Sequence, residues 1–563
     1  MAWFKENSSL YEEEIHQLNK NNYKFEIDES EKKLGNLVIY VDYEIDNKTF
    51  KLKCEYPPSY PFFAVKVSCK EFPSGRHICP VSFGICLFFD EQSSWSPSDS
   101  LASIIRKRIR IIYDAHLSPD TISEHETEEG YQVSGQLRYE DFSTIFMEDV
   151  NFSSSDSYGN MTLSVSEDVS IDSSIKGSIK DISLISGVQT VSSTKIEGRY
   201  KKSINARWVK LDEPLSKFEA SELLEIAIQI NPSIKKPLVN KLGKHKIDIV
   251  AIAFPEEKLG REKSINWLFI SRRSKKLGTN KNIPAITLIR SDYYTRDNLT
   301  IRTPRLEGLK EKSVLLIGIG ALGSHVAMQL ARTGIQNLTV VDCDYLQAGN
   351  LPRWIPAFDH IGHYKAFAIQ QILLRNYPFL NCLPIHLRIG QTGKVQYFEK
   401  TSNSHDIVLD LIDKSDLVID CTAESNVSHY LSNLCSFKRK DFVWATATTG
   451  GWGGIVGNTS PAKGNASWFK FSKQYFDGKI EKPASEDVPM VQSTGCFSPT
   501  FTGAGFDLDQ VSLMTTRLSV SLLLKDKDKK SAYTGFEWDV AVLNLWDEKN
   551  ITPIAPEWIT YNV

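Results

Sequence analysis

VLLIGIGALGSHVAMQLARTGIQNLTVVDCDYLQAGNLPR, residues 314–353, is the stretch that decides the fold. Val314 to Ile317 form an uninterrupted apolar run, which suits a strand buried on both faces of a parallel sheet. Gly318, Gly320 and Gly323 then give G-x-G-x-x-G, and a segment with apolar residues on one helical face follows. A second apolar run, Leu338 to Val341, ends at Asp342, 19 residues beyond Gly323. Strand, glycine turn, helix, strand and terminal acid in this order predict a nucleotide-binding βαβ unit. The glycines let backbone N–H groups approach phosphates at a helix N-terminus, and the acid can take ribose hydroxyls.

These residues alone suit NAD or FAD as the default. The next ones shift the reading. Asn350 and Arg353 form N-x-x-R, and Gly362-His363-Tyr364-Lys365 follows. A dinucleotide site has no need of an arginine and a lysine aimed at a triphosphate. An enzyme that moves charge onto pyrophosphate does, because fixed cations stabilise its transition state. The bland alternative is that Asn350, Arg353 and Lys365 are solvated loop residues.

The chain has 563 residues, too many for one core, and three or four domains are expected. Its 41% apolar and 24% charged content is ordinary for globular protein, and 66 basic against 69 acidic residues give no reason to expect nucleic-acid binding. No apolar run reaches membrane-span length and MAWFKENSS has no signal-peptide layout, so no membrane partner and a cytoplasmic location are expected. The nine cysteines are odd in number and include no C-x-x-C, against a disulfide framework or paired-cysteine zinc.

Residues 1–120 read as α+β: a helix over 9–22, strands over 36–43 and 49–56, a Pro-punctuated YPPSYPFFAVKV, and a helix after Trp95-Ser96-Pro97. Residues 121–294 read as an acidic linker and a β-rich or α+β spacer, with a helix over 214–230 and strands at IDIVAIAF and INWLFISR. Residues 295–563 form the α/β domain, with further strands at 417–421 and 442–446. The fold class is therefore multidomain α/β with a Rossmann-like C-terminal domain. Two cysteines have neighbourhoods suited to chemistry. Cys496 lies among small polar residues in VQSTGCFSPTFTGAG, and Cys86 lies in FGICLFFDEQSSWSPSDSL, with Cys79 as its competitor.

The motifs GIGALG, DCD, NLPR, GHYK and DCTA resemble the ThiF/ubiquitin-activating adenylation family. That resemblance implies ATP and Mg²⁺ as cofactors, with Gly318, Gly320 and Gly323 at the nucleotide, Asp342 on the ribose, and Asn350, Arg353 and Lys365 on the phosphates. It implies attack of a partner's C-terminal carboxylate on the α-phosphate, and a homodimer. Arg302 and Arg305 precede the first strand, where family members often carry an arginine reaching the neighbouring subunit's ATP. The family's metal-binding acid falls at Ala423, leaving Glu424 and Asp420 as candidates. G-x-I-C-L before W-S-P resembles ubiquitin-conjugating enzymes, although no Asn stands where that family places its oxyanion-stabilising His-Pro-Asn. Here the region reads Arg76-His77-Ile78-Cys79-Pro80. A conjugating module, a spacer and an activating module in one chain resemble the fused enzymes of CBASS anti-phage operons. That implies a relay from Cys496 to Cys86 and on to a target amine, with the cyclic-oligonucleotide synthase as the conjugated partner through its C-terminus. The competing reading is a sulfur-carrier-type adenylating enzyme whose N-terminal domain only docks.

Overall fold

The computed structural model describes residues 2–73, 77–88, 95–117, 132–166, 174–191, 196, 198–200, 202–242, 245–257, 263–277, 281–461, 467–487, 502–525, 533, 536 and 538–563. The chain divides into two compact units, Met1–Tyr293 and Tyr294–Val563. Among the described residues no helix is long and apolar enough to cross a membrane.

The first unit opens with α1 (Trp3–Glu6) and α2 (Ser8–Lys20), then β1 (Lys24–Ile27), α3 (Glu29–Leu34), β2 (Val38–Ile45), β3 (Lys48–Glu55), β4 (Lys66–Ser68) and α4 (Leu101–Leu117). The strands form an antiparallel meander in sequence order. Asp28 and Gly35 punctuate α3 as its caps, the carboxylate accepting from Ser30 and Glu31 N–H and the glycine adopting a left-handed φ of 95°. Glu14, 2% exposed, binds α2 to the rest: it accepts from Tyr56 Oη at 2.9 Å, Tyr60 Oη at 2.6 Å and Leu101 N at 3.2 Å, at the start of α4. The Arg106–Arg110 cluster is a helix face. Arg108 Nε donates to Leu87 O at 2.7 Å, and Arg110 pairs with Asp46 and Asp114.

The same unit continues with β5 (Tyr139–Met147), β6 (Tyr158–Val165), β7 (Lys176–Leu184), β8 (Gly187–Thr190), β9 (Lys202–Lys210), α5 (Ala220–Ile230), β10 (Asn240–Leu242), β11 (His245–Glu257), β12 (Lys263–Leu277) and β13 (Lys281–Tyr293). They build one nine-stranded sheet, and β9 pairs in parallel with β11 to close a ring of β11, β12, β13, β5, β7, β6 and β9. The closure explains why IDIVAIAF is apolar without alternation. Ile247, Ile249, Ala251 and Ala253 join one core with Trp208, Trp267 and Phe269, while Val250, Ile252 and Phe254 join another with Leu223 and Leu224 of α5. The helix expected over 214–230 is shorter, Ala220–Ile230, because Pro214 has no N–H to give and residues 212–218 run outside regular structure.

The second unit holds α6 (Arg296–Thr300), β14 (Ser313–Ile317), α7 (Ala321–Arg332), β15 (Asn337–Asp342), α8 (Lys365–Asn376), β16 (Asn381–His386), β17 (Lys394–Tyr397), β18 (Lys400–Asn403), α9 (Ser404–Asp413), β19 (Leu417–Asp420), α10 (Ser425–Phe437), β20 (Asp441–Ala447), β21 (Gly453–Thr459), α11 (Trp468–Phe476), α12 (Gly505–Leu524), β22 (Val540–Asp547) and β23 (Thr552–Tyr561). Its sheet runs β16-β15-β14-β19-β20-β21-β22-β23. The first five strands are parallel, and β21 to β23 extend them antiparallel. Crossover helices leave apolar cores on both faces. The carboxyl ends of β14, β15 and β19 therefore meet at one crevice, where open α/β sheets bind ligands.

Candidate active site

The three motif glycines have three different physical reasons. Gly318 has φ +83° and its missing Cβ would lie 2.6 Å from Thr422 N, so the turn after β14 can touch the turn after β19 only without a side chain. A Cβ on Gly323 would lie 1.8 Å from Gly318 O, so this glycine sets how closely α7 packs on the strand. A Cβ on Gly320 would meet nothing within 4 Å. No steric need of the protein accounts for that glycine, and its open side lines the crevice at the N-cap of α7.

The loop is held from two sides. Asp342 Oδ2 accepts from Ile319 N at 2.6 Å and its Oδ1 from Asp344 N at 2.7 Å, while buried Trp354 Nε1 donates to Ile319 O at 2.8 Å. Burial raises the Asp342 carboxyl above its ordinary range, opposed by the Lys365 charge. Lys365 opens α8. Its Nζ pairs with Asp344 Oδ2 at 2.9 Å and its N–H donates to Asp344 O at 2.9 Å, beside the Tyr345–Tyr364 bridge. A short turn, Ala348–Arg353, carries the N-x-x-R pair; Asn350 Oδ1 accepts from Gln347 N at 2.9 Å and so caps the turn it stands in.

Asn350, Arg353 and Lys365 all line one cleft of about 320 Å³ together with Gly318, Gly320 and Asp342. Apolar side chains from Ile317, Val341, Leu387, Ile389 and Val427 supply a slot on its wall. Sequence reasoning missed Arg388 and Cys343. Arg388 brings a further cation to the lining, from the loop after β16, and no motif spacing flags it. The Cys343 thiol is raised by burial and by Asp342 and Asp344, the opposite of a nucleophile's activation. Arg302 and Arg305 are exposed.

The acid question resolves by hydrogen bonding. Asp420 is 1% exposed; Oδ1 accepts from Thr422 N at 2.9 Å and Thr422 Oγ1 at 2.7 Å, and Oδ2 from Ser428 Oγ at 2.6 Å. It closes the turn from β19 into α10 and does not line the cleft. Glu424 does line it and is exposed. Ala423 has a left-handed φ of 57°, a region that Asp and Asn enter more readily than Ala. Among the described residues no three metal-ligating side chains cluster. Mg²⁺ delivered on a nucleotide takes one or two carboxylates and keeps phosphate and water ligands. Of the cleft carboxylates, Glu424 and Asp344 would hold a nucleotide-borne Mg²⁺, since Asp342 already accepts from Ile319 N and Asp344 N.

In the first unit, Cys86 is exposed, and its N–H donates to His77 O at 2.7 Å where Ile78 bridges Ile85. His77 has φ 63°. Cys79 is half-buried, with Sγ accepting from Ser82 N at 3.2 Å, so it serves the turn. Trp95 Nε1 donates to Pro61 O at 2.7 Å and its ring meets Phe88 edge-on, tying W-S-P to the Pro-rich stretch. Arg76 and Cys496 lie outside the described residues.

Residues 294–529 match the ThiF family. The chain is 28% identical over 555 residues to the uncharacterized protein y4oA of Sinorhizobium fredii (strain NBRC 101917 / NGR234), covering 93% of this chain and 90% of that protein. It is 30% identical over 265 residues to y4qC of the same strain, covering 46% of this chain and 43% of y4qC. The ATP-dependent ubiquitin transferase-like protein Cap2 of Enterobacter hormaechei subsp. hoffmannii (strain UCI 50) is 26% identical over 244 residues, covering 41% of this chain and 36% of Cap2. The chain thus spans nearly all of y4oA but less than half the length of y4qC and Cap2. The glycine loop, the N-x-x-R turn and the lysine of α8, gathered at the ends of β14, β15 and β19, all fall within the residues 294–529 that match the ThiF family.

Proposed function

We propose that this protein adenylates the C-terminus of a partner protein with ATP and passes the acyl group along two of its own cysteines to an amine. In the first step the partner's carboxylate attacks the α-phosphorus and pyrophosphate leaves. Arg353 and Lys365 line the cleft and would offset that growing negative charge, and the open side of Gly320 leaves room for a phosphate beside the loop. Mg²⁺ on the nucleotide would offset phosphate charge. At about 320 Å³ the cleft falls within the ~300–1,000 Å³ usual for a small ligand such as a nucleotide.

In the later steps the Cys496 thiol displaces AMP, the Cys86 thiol takes the acyl group from that thioester, and a target amine takes it as an amide. One observation carries the Cys496 step. Both ends of the segment that contains it leave from the same turn: Glu486 N donates to Thr449 O at 2.9 Å, Gly450 N to Thr502 O at 2.9 Å, and Thr502 Oγ1 to Glu486 Oε2 at 3.0 Å. That turn follows Ala447, which lines the cleft. The exposure of Cys86 against the half-buried position of Cys79 supports Cys86 as acceptor. The likeness to Cap2 supports a CBASS setting, with the neighbouring cyclic-oligonucleotide synthase as partner, and a homodimer is part of the proposal.

The test is a thioester trap. The protein is mixed with ATP·Mg²⁺ and that synthase, and non-reducing gels compare wild type, Cys496→Ala and Cys86→Ala. A thiol-sensitive adduct lost in Cys496→Ala and retained in Cys86→Ala establishes the relay and its direction. Pyrophosphate exchange without any such adduct replaces it with sulfur-carrier-type adenylation.

A further inference from the structure

The helix α12 lies along α7, and most of its length is buried. Ser512 Oγ donates to Leu322 O at 3.2 Å, and His325 Nδ1 lies 2.7 Å from Asp509 Oδ1. The second contact is a close approach rather than a well-directed hydrogen bond, and His325 Nε2 is buried with no hydrogen-bond partner among the described residues. Both contacts sit in the early turns of the two helices. They fix the N-terminal turn of α12 relative to the glycine loop. At that turn Gly505 meets the N-x-x-R segment: a Cβ there would lie 2.8 Å from Pro352 O and 3.4 Å from Arg353 Cα.

We infer that Gly505 and the Asp509–His325 contact are positioning elements for Arg353: the first turn of α12, clamped on α7, is the seat that sets the arginine backbone in the nucleotide cleft. Two physical points carry this. Gly505 has no positive φ, so its conformation does not call for glycine. What calls for glycine is the approach to Pro352 O, closer than any real Cβ tolerates. Pro352 also stiffens the turn, so a push at its carbonyl reaches Arg353 rather than dissipating. The inference rests on the adenylation reading, because Arg353 acts on phosphate only there.

The experiment is ATP–pyrophosphate exchange by the full chain with the synthase as the carboxylate substrate that is adenylated, for Gly505→Ala, Asp509→Asn, Arg353→Ala and the doubles with Arg353→Ala. Gly505→Ala is expected to lower kcat about tenfold or more with the melting temperature nearly unchanged, and Asp509→Asn about threefold. Neither should cost anything further in the Arg353→Ala background, the non-additivity of residues acting through one another. Full additivity with Arg353→Ala overturns the inference, as does wild-type exchange by both single variants. Should Gly505→Ala fail to fold, the Asp509→Asn cycle decides alone. Absence of exchange in wild type would instead count against the adenylation reading itself.

Discussion

Two alanines three residues apart in the glycine loop should fail in opposite ways. In Gly323→Ala the new Cβ lies 1.8 Å from Gly318 O, where real contacts stop near 3.0 Å, so strand turn and helix must part by more than 1 Å. Such overpacking costs about 1–3 kcal/mol. Parting also stretches the bonds of Ile319 to Asp342 and Trp354, at about 1 kcal/mol each. Helix propensity returns about 1 kcal/mol. A net loss of about 2–4 kcal/mol lowers Tm by roughly 5–10 °C for a unit of this size. Gly320→Ala meets nothing within 4 Å at a φ of −85° and should melt with wild type. Its methyl instead occupies the open side of the cradle, and ATP affinity should fall about tenfold or more. Thermal melts with and without ATP·Mg²⁺, followed by pyrophosphate exchange, read both effects. A Gly320→Ala protein that keeps wild-type nucleotide affinity refutes the phosphate-cradle reasoning, whatever Gly323→Ala does.

Other outcomes follow from single contacts. Asp420→Ala strands three donors in a buried turn and should cost about 2–3 kcal/mol, measured by urea unfolding; a neutral result would return Asp420 to the list of metal acids. Ala423→Asp places an acid at the cleft in a backbone region that suits it, so exchange should need less Mg²⁺, while Glu424→Gln should need more; magnesium titrations that superimpose on wild type contradict both. Burial raises the Glu14 carboxyl above its ordinary 4.5, although Tyr60, Leu101 and Tyr56 donate to it. A raised folded value means that its stabilising share is whole below the unfolded value and is lost as pH rises through the folded one. Glu14→Gln, which cannot titrate, should therefore gain in Tm on wild type as pH rises above the ordinary carboxylate range, and a difference that stays constant with pH would refute the raised carboxyl. Cys79→Ser should leave acyl transfer to Cys86 intact in the thioester trap, because Ser keeps an acceptor for Ser82 N; loss of transfer would make Cys79 a participant.

The amino-acid sequence by itself determined what depends on near neighbours in the chain. An apolar run, a glycine turn, a one-sided helix and a second apolar run ending in acid specify a βαβ unit because each signal is local, and β14, α7 and β15 stand where those signals put them. N-x-x-R and G-x-x-K were legible for the same reason: both lie within a short stretch after β15, and a single backbone bridge at Tyr345 and Tyr364 brings them together. Tertiary structure alone decided the rest. The parallel pairing of β9 with β11, which turns a sheet into a closed ring, joins strands separated by a helix, and no periodicity encodes that closure. Asp420 and Glu424 look alike as candidates in sequence, yet Ser428 and Thr422 consume one while the cleft receives the other. Arg388 reaches the nucleotide cleft and Gly505 reaches Pro352 through contacts between segments far apart in the chain. Local sequence sets secondary structure because helix and strand are written in spacings of a few residues. It does not say which distant atoms will meet, because that is settled by packing the whole core at once.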